Sequence, residues 1–279
     1  MACFHKFEKE GFMDSQIAAR YKVAAFFDLD NTIMRGASIF HLARGLFSRK
    51  FLSTSDLISF AIAQGKFLVT GKENKGDMAR VTQDALVFVA GRSVSQLTAL
   101  GEEIFHEIME SKIWPETVAL AQKHLAANHE VWLVSAAPIE IAELIARKLG
   151  LTGAIATKSE IIDGKYTGKL INKPMHGEEK AIAIRELAVS RDISLPKSFG
   201  YSDSSNDLPL LSSVGYPQAV NPDSKLRIHA KLKMWPIHDF KREYIAAKYI
   251  KPLQKTLVAT LSATIGIAIV ANKKTKQQI

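Results

Sequence analysis

Apolar residues along the chain form two alternating patterns, short continuous runs and longer segments with apolar positions at helical spacing. The runs Val23 to Phe27 and VWLV, and a short stretch in KSFGYSD, predict buried strands. Segments with helical spacing, such as EEKAIAIRELAVSR, separate these strands. The pattern predicts an α/β fold with a Rossmann-like parallel sheet, in which functional groups gather at the carboxyl-terminal ends of the strands.

Turn-forming residues mark boundaries within this pattern. Pro138 suits the first turn of the helix PIEIAELIARKLG, where an N–H would have no partner, and Gly150 suits its C-terminal cap. Asp163 and Gly164 favour a tight turn, so the segment IATKSEIIDGKYTGKL predicts a β-hairpin.

Between the first strand and about Trp114, strand signals are nearly absent and apolar residues recur at helical spacing. We therefore predict an all-helical cap domain inserted into the core. The predicted organisation begins with an N-terminal extension, 1–22, and a core in two pieces, 23–34 and 114–222, with the cap, 35–113, between them. A basic amphipathic segment, 223–255, and a hydrophobic C-terminal helix, 256–272, follow.

The cysteine content and the N-terminal segment indicate in which cellular compartment the protein is expected. Cys3 is the single cysteine of the 279 residues, which excludes an internal disulfide and a cysteine-based metal site. The first residues mix charges of both signs and contain no continuous apolar stretch, so a cleaved secretory signal is not expected. We expect a cytoplasmic catalytic domain.

The net charge of +9 is concentrated at the C-terminal end. Residues 221–279 contain twelve basic and three acidic residues and thus carry the whole excess. Within them, 256–272 is an uncharged run of 17 residues, near the low end of the roughly 17 to 25 that a membrane-spanning helix needs. Aromatic residues interleave with the basic residues before it, which favours a membrane interface.

We predict membrane association of the C-terminal tail through residues 256–272. The alternative is a C-terminal helix that is amphipathic or buried against the core. Nucleic acid is not an expected partner, because no reading motif accompanies the charge and nucleic acid would not require the apolar run.

The segment FFDLDNT places Asp28 and Asp30 two positions apart, directly after the first strand, with Thr32 beside them. One carboxylate of such a pair can attack an electrophile and bind a hard cation while the other transfers a proton. The alternative is an Asx turn, since Asp and Asn side chains often bond their own backbone.

Ser135 and Lys180 occupy comparable positions. Ser135 follows the strand VWLV, where a hydroxyl and free backbone N–H groups can bind an anion; the alternative is a helix N-cap. Lys180 lies in the first turn of a predicted helix, where a cation opposes the helix dipole unless an anion offsets it. Its alternative is a solvated ion pair with Glu178 or Glu179.

The last cluster is GYSDSSND, which follows a short predicted strand and precedes a helix. Asp203 could complete an oxygen-ligand site for Mg²⁺ with Asp28, because Mg²⁺ is held by one or two carboxylates plus water and phosphate. Asp207 has an alternative interpretation as an acid that caps the following helix.

Taken together, these motifs resemble those of the haloacid dehalogenase-like hydrolase superfamily. The resemblance is closest to its subfamily IB, which carries a helical cap between the first and second motifs and includes phosphoserine phosphatases. It covers roughly residues 23–221. The matching positions are Asp28, Asp30 and Thr32, then Ser135, then Lys180, and finally Asp203, Asn206 and Asp207.

The resemblance implies a Mg²⁺-dependent phosphomonoester hydrolase that acts through an aspartyl-phosphate intermediate on a small phosphorylated metabolite. Asp28 would be the nucleophile and Asp30 the proton carrier. The metal set would be Asp28, Asp30 and Asp203, with Asp207. The phosphate would be bound by Thr32, Ser135, Lys180 and Asn206.

One departure from the family pattern concerns the substrate. Phosphoserine phosphatases look to carry a glutamate nine residues after the nucleophile, where this chain has Ala37, and their cap arginine has only Arg80 or Lys72 as counterparts. We therefore expect a phosphomonoester other than phosphoserine. The alternatives are phosphoserine itself, a lipid or glycerol phosphate hydrolysed at a membrane, and an inactive membrane-bound scaffold.

Overall fold

The computed structural model describes residues 21–51 and 89–245. The strands in chain order are β1 Ala24–Phe27, β2 Glu130–Pro138, β3 Gly153–Thr157, β4 Ser159–Ile162, β5 Lys165–Leu170, β6 Phe199–Ser202, β7 Tyr216–Val220 and β8 Ile237–His238. Six of them form one parallel sheet in the order β3-β2-β1-β6-β7-β8, and β4 and β5 form a separate antiparallel pair. The predicted parallel α/β core is confirmed.

The described helices are α1 Ser38–Ser48, α2 Val94–Ile104, α3 Pro115–Ala126, α4 Ile139–Lys148, α5 Glu178–Arg191, α6 Leu208–Leu211, α7 Ser224–Leu232 and α8 Phe240–Ile245. A π-helical turn at Phe105–Met109 and a 3₁₀ turn at Glu110–Lys112 continue α2. The chain divides into two compact units after His238, so that α8 belongs to the second unit.

Strand β1 lies at the centre of the sheet because all four of its residues are apolar and completely buried. It pairs in parallel with β2 on one side, Phe27 opposite Leu133, and with β6 on the other, Phe27 opposite Tyr201. The residues that follow β1, β2 and β6 therefore emerge at one edge of the sheet. Strand order reverses direction at β1, and such a switch point is where open α/β sheets bind ligands.

Strand β2 extends further than the sequence predicts. Pro138 is its last residue and pairs with Thr157 of β3 after a bulge, and α4 begins only at Ile139. The expectation that Pro138 lies in the first turn of this helix is therefore wrong. Proline has no backbone N–H to donate. At the end of a strand, as at the start of a helix, this removes few hydrogen bonds, so proline is tolerated in both places.

The hairpin with its turn at Asp163 and Gly164 is confirmed, and both turn residues have positive φ angles, of 50° and 73°. It does not begin at Ile155 as predicted, since that residue lies in β3 of the main sheet. The hairpin bonds instead to the segment before α2: the Gly91 N–H donates to the Tyr166 carbonyl at 2.7 Å, and the Tyr166 N–H to the Arg92 carbonyl at 3.1 Å.

The described part of the predicted cap is helical, as expected. Helices α1 and α2 pack so closely that a Cβ atom at Gly45 would lie only 2.5 Å from the Ile104 side chain. Residues 52–88 of the predicted cap lie outside the described residues, and its bounds stay a prediction.

The sheet continues beyond residue 222, where the core was predicted to end. Asp223 caps α7 by accepting a hydrogen bond from the Leu226 N–H at 2.7 Å, and Leu226 and Ala230 are fully buried. Strand β8 then pairs with β7. Within 21–51 and 89–245, the helices are too short or too polar to traverse a bilayer. The predicted hydrophobic helix, 256–272, lies outside the described residues.

Candidate active site

Asp28 follows β1 and is 6% exposed. Its N–H donates to the Tyr201 carbonyl of β6 at 2.9 Å, which fixes the backbone at the edge of the sheet. One carboxylate oxygen accepts a hydrogen bond from Lys180 Nζ at 2.6 Å, and the other lies 3.5 Å from Thr32 Oγ1. The shorter contact comes from a residue 152 positions away, so the carboxylate is not held by a local turn alone.

The local backbone turn after β1 is made by Asn31 and by neither aspartate, and its side-chain contact spans five residues, more than the two of an Asx turn. Asn31 has a positive φ of 59°, and its Oδ1 accepts a hydrogen bond from the Gly36 N–H at 3.1 Å. Asn31 therefore makes the turn that leaves Asp28 and Asp30 available for other contacts.

Asp30 points toward the beginning of the described cap. Its Oδ1 accepts a hydrogen bond from the backbone N–H of Ser38, the first residue of α1, at 2.8 Å. Burial raises the pKa of Asp30, although the Ser38 hydrogen bond opposes this effect. A carboxyl group that keeps its proton more readily than usual is suited to donate that proton to a leaving group.

Lys180 is 3% exposed and bridges two carboxylates. Its ammonium group donates to Asp28 at 2.6 Å and to Asp207 at 2.8 Å. Burial alone would lower the pKa of Lys180, but Asp207 and Asp28 outweigh burial and raise it. Lys180 is therefore a fixed positive charge at the base of the site.

The alternative ion pair between Lys180 and its neighbouring glutamates is wrong. Glu178 pairs with Arg185 at 3.2 Å and Glu179 pairs with Lys173 at 3.1 Å. These exposed pairs leave the lysine to the buried cluster.

Asp207 is 2% exposed and lies at the start of α6. Its side chain does not cap this helix, so the alternative interpretation of a capping acid is wrong. One carboxylate oxygen instead accepts from Lys180 and also from Ser202 Oγ, at 2.7 Å. Asp207 therefore orients the ammonium group of Lys180.

Asp203 follows β6, and a hydrogen bond from the Asp223 N–H to its carbonyl, 2.7 Å long, ties this loop to the start of α7. The Asp223 side chain also accepts from the Ser205 N–H at 2.7 Å. Burial and then the Asp28 and Asp207 carboxylates raise the pKa of Asp203 to about 8.

Ser135 is 1% exposed at the end of β2, and its Oγ accepts a hydrogen bond from the Ala137 N–H at 3.1 Å. It does not cap α4, which begins at Ile139 without a side-chain cap. The N-cap alternative is therefore wrong.

Among the described residues, Lys180 is the one lysine that interacts with the carboxylates of Asp28, Asp203 and Asp207. Burial, together with the Asp207 and Asp30 charges, raises the pKa of Asp28 to about 7 in spite of Lys180. A divalent cation would supply the positive charge that keeps such a cluster ionised, and carboxylate oxygens are the donors that Mg²⁺ prefers. The donor chemistry thus fits Mg²⁺.

The described residues contain no group of three or more His, Cys, Asp or Glu side chains arranged to hold a metal. Of the metal set implied by the sequence, two carboxylates, Asp28 and Asp203, and the Asp30 carbonyl could hold the ion without such a group. The fourth member, Asp207, instead accepts hydrogen bonds from Lys180 and Ser202. Water and phosphate oxygens complete the coordination of Mg²⁺ in many such sites.

A cavity of about 380 Å³ opens onto these residues. Seven of the eight site residues inferred from the sequence line it: Asp28, Asp30, Ser135, Lys180, Asp203, Asn206 and Asp207. Thr32 does not line the cavity and is completely buried next to Asp28. Ala37 also lines the cavity, while Lys72 and Arg80 lie outside the described residues.

Sequence reasoning missed several polar residues at this site. Ser202, which supports Asp207, follows the same strand-end rule as Ser135 and could have been found by it. Glu140 and Tyr166 both line the cavity, but one resembles an ordinary first-turn acid and the other an ordinary hairpin residue. No local pattern distinguishes them.

The fold and the site define a hydrolase with paired carboxylates and a buried lysine at the switch point of a parallel sheet. The model of the haloacid dehalogenase-like hydrolase family matches residues 25–212, and the chain belongs to this family. Both the family expected from the motifs and the assignment as a phosphatase are confirmed at this level.

Similar proteins include two named phosphatases. "Phosphoserine phosphatase SerB1" of Mycobacterium tuberculosis is 45% identical over 255 residues, covering 91% of this chain and 83% of that protein. "Histidinol-phosphatase" of Neisseria meningitidis is 31% identical over 224 residues, covering 79% of this chain and 100% of that protein. A solved structure of a Bordetella pertussis protein of unknown function matches with a TM-score of 0.71 at 27% identity, covering 78% of this chain and 99% of that one.

Proposed function

We propose that the chain is a Mg²⁺-dependent phosphomonoester hydrolase with Asp28 as its nucleophile. The observation that carries the proposal is the buried Lys180, which holds the Asp28 carboxylate at 2.6 Å at the base of the cavity. A buried cation between two carboxylates at a strand edge binds and orients a phosphate group well.

In the first step a carboxylate oxygen of Asp28 bonds to phosphorus, and the bond between phosphorus and the ester oxygen breaks. The departing oxygen takes the proton from Asp30, whose raised pKa favours the protonated form. In the second step water attacks the aspartyl-phosphate and gives a proton back to Asp30, which releases Asp28 and inorganic phosphate.

The remaining residues compensate the charge of the phosphate. Lys180, Ser135 and Asn206 would bind its oxygens from the cavity wall, and Thr32 would act from beside Asp28. Mg²⁺, when held by Asp28, Asp203 and the Asp30 carbonyl, would supply further positive charge opposite the phosphate. Asp207 would act indirectly, because its carboxylate positions Lys180.

The substrate we propose is a small phosphorylated metabolite. The cavity of about 380 Å³ has room for an organic group beside the phosphate, and Ile39, Leu42 and Leu97 on the cap side make part of it apolar. Phosphoserine and histidinol phosphate, for which the two relatives are named, are molecules of this size. Ala37 in the cavity wall favours an ester other than phosphoserine.

The decisive variant is Asp28→Asn, assayed as the full chain with p-nitrophenyl phosphate and Mg²⁺. We expect kcat to fall by at least about 1,000-fold, because an amide cannot form the acyl phosphate. Asp192→Asn is the matched control: Asp192 is exposed and has a positive φ of 56°, which asparagine also adopts easily. Near-normal turnover by Asp28→Asn would disprove the proposed nucleophile.

Membrane association through residues 256–272 stays a prediction from the sequence. It can be tested by sedimentation of the full chain, and of a variant without residues 252–279, with vesicles containing anionic phospholipid. Sedimentation that does not depend on the tail would contradict it, as would the same activity toward a lipid phosphate with and without the tail.

A further inference from the structure

Among the described residues that line the cavity, Glu140 adds a carboxylate to those of the four aspartates. Glu140 lies in the first turn of α4, five residues after Ser135. Ile141 and Leu144 of the same helix also line the cavity, so this face of α4 forms part of its wall.

Tyr166 of the β4–β5 hairpin lines the same cavity and is 3% exposed. Its buried hydroxyl faces the Glu140 carboxylate and interacts with it by a side-chain hydrogen bond that departs from ideal geometry. Burial and then the nearby Glu140 carboxylate raise the pKa of Tyr166. Tyr166 thus helps to fix the Glu140 carboxylate at the cavity wall, and one such contact leaves carboxylate lone pairs for a further donor.

Glu140 could be explained as an acid that stabilises the start of α4 by interacting with the helix dipole, which is worth roughly 0.3–1 kcal/mol. That explanation accounts for an acid in the first turn. It does not account for the position of this side chain on the cavity wall, nor for the buried hydroxyl that faces it. Glu143, exposed on the same helix, shows what an acid without these features looks like.

Electrostatics indicates what group belongs there. A carboxylate without a neighbouring cation, in a cavity that receives a phosphate dianion, repels the substrate, and the repulsion is strong where water is excluded. Among residues 21–51 and 89–245, no Lys, Arg or His nitrogen lies within 4.0 Å of the Glu140 carboxylate. A positive charge carried by the substrate itself would turn this repulsion into attraction.

We propose that Glu140, assisted by the Tyr166 hydroxyl, binds a cationic nitrogen of the substrate and so selects phosphomonoesters that carry a protonated amine. This inference rests on the proposed function. It places substrate recognition on α4 and the hairpin of the core, whereas the pattern of phosphoserine phosphatases places an acid at the position of Ala37.

The test compares two esters of the same size that differ only in charge, 4-aminobutyl phosphate and pentyl phosphate. We expect the full-length wild-type enzyme to have at least a 10-fold higher kcat/KM for the amino ester. Glu140→Gln should lower kcat/KM for the amino ester by about 10- to 100-fold and leave the pentyl ester unchanged or improved. Tyr166→Phe should lower the selectivity between the two esters by a smaller factor.

Glu143→Gln is the matched control, because it makes the same chemical change on an exposed side chain of the same helix. It should leave both esters unaffected. Calorimetric titration of both esters into Asp28→Asn measures binding without turnover, and Glu140→Gln in that background should abolish the preference for the amine.

The outcomes separate the two proposals. Equal turnover of both esters by the wild type, or an equal loss for both in Glu140→Gln, would overturn the role of Glu140 while the phosphatase function stands. Failure of the wild type to hydrolyse either ester or p-nitrophenyl phosphate would overturn the function. In that case equal binding of the two esters by Asp28→Asn would overturn the role of Glu140 as well.

Discussion

Replacing Lys180 by methionine removes a positive charge from the centre of the site and keeps a side chain of similar length. In the wild type this charge makes two short contacts, 2.6 Å to Asp28 and 2.8 Å to Asp207. All three residues are at most 6% exposed, so solvent screens these charges poorly. We therefore expect a large loss of folding free energy as well as a loss of activity.

The expected loss follows from the burial of the ion pairs. Removing one partner of a buried pair leaves an uncompensated charge and costs about 3–5 kcal/mol. The Asp28 carboxyl can escape part of this cost by binding a proton. Burial already raises the pKa of Asp28 to about 7 with Lys180 present, and the pKa must be higher without it.

The sign of the pH dependence follows from these pKa values. A carboxyl whose pKa is raised on folding loses stability as pH rises from its unfolded pKa to its folded pKa. In the wild type this loss ends near pH 7, where Asp28 ionises beside Lys180. In Lys180→Met it continues, so the deficit of the variant grows above pH 7 by about 1.4 kcal/mol per pH unit.

Urea unfolding of the full chain, followed by tryptophan fluorescence in EDTA at pH 6, 7 and 8.5, measures this deficit. EDTA ensures that the carboxylates respond to protons only. Lys169→Met, on an exposed side chain of β5, is the matched control and should change stability by less than about 0.5 kcal/mol. A deficit below about 1 kcal/mol at pH 8.5, or one that does not grow above pH 7, would refute the reasoning.

Two further predictions concern Asp30 and the packing of the cap. Asp30→Asn should slow hydrolysis of an alkyl phosphate by at least about 100-fold, whereas p-nitrophenyl phosphate, whose leaving group needs no proton, should give a rapid burst of nitrophenolate before slow turnover. Quenched-flow kinetics checks this, and an equal loss without a burst would contradict it. Gly45→Val should destabilise the full chain by about 1–3 kcal/mol, because a Cβ there would lie 2.5 Å from Ile104. Urea unfolding checks this, and unchanged stability would show that α1 and α2 can move apart without cost.

The chemical residues of the site could be found from the sequence because their positions follow a general rule of parallel sheets. Asp28 and Ser135 each stand directly after a recognisable apolar run, and parallel pairing brings such ends to one edge. The local alternatives to these roles could not be decided from the sequence. What decides against the glutamate pair of Lys180 is a contact with Asp28, 152 residues away in the chain.

The strands that could not be predicted from the sequence are those with weak hydrophobic patterns. Strand β3, GAIAT, is short and rich in alanine, and the pattern of a hairpin absorbed its last residues. Strand β7, YPQAV, carries Pro217 at its second position, which argues against a central strand. The structure resolves this conflict. On the edge of β7 that faces β8, only Ala219 and Val220 are paired, so Pro217 has no strand neighbour on that edge.

Substrate recognition is the hardest property to predict from this sequence, and the reason is physical. The groups that handle phosphate are fixed by the chemistry of the reaction and therefore occur in short motifs at strand ends. The groups that meet the rest of the substrate need only face the same cavity, and Glu140 and Tyr166 reach it from a helix and a hairpin that share no sequence pattern. The absence of an acid at Ala37 therefore argues against phosphoserine bound in that family's manner and not against a substrate amine, because another wall of the cavity can supply the carboxylate.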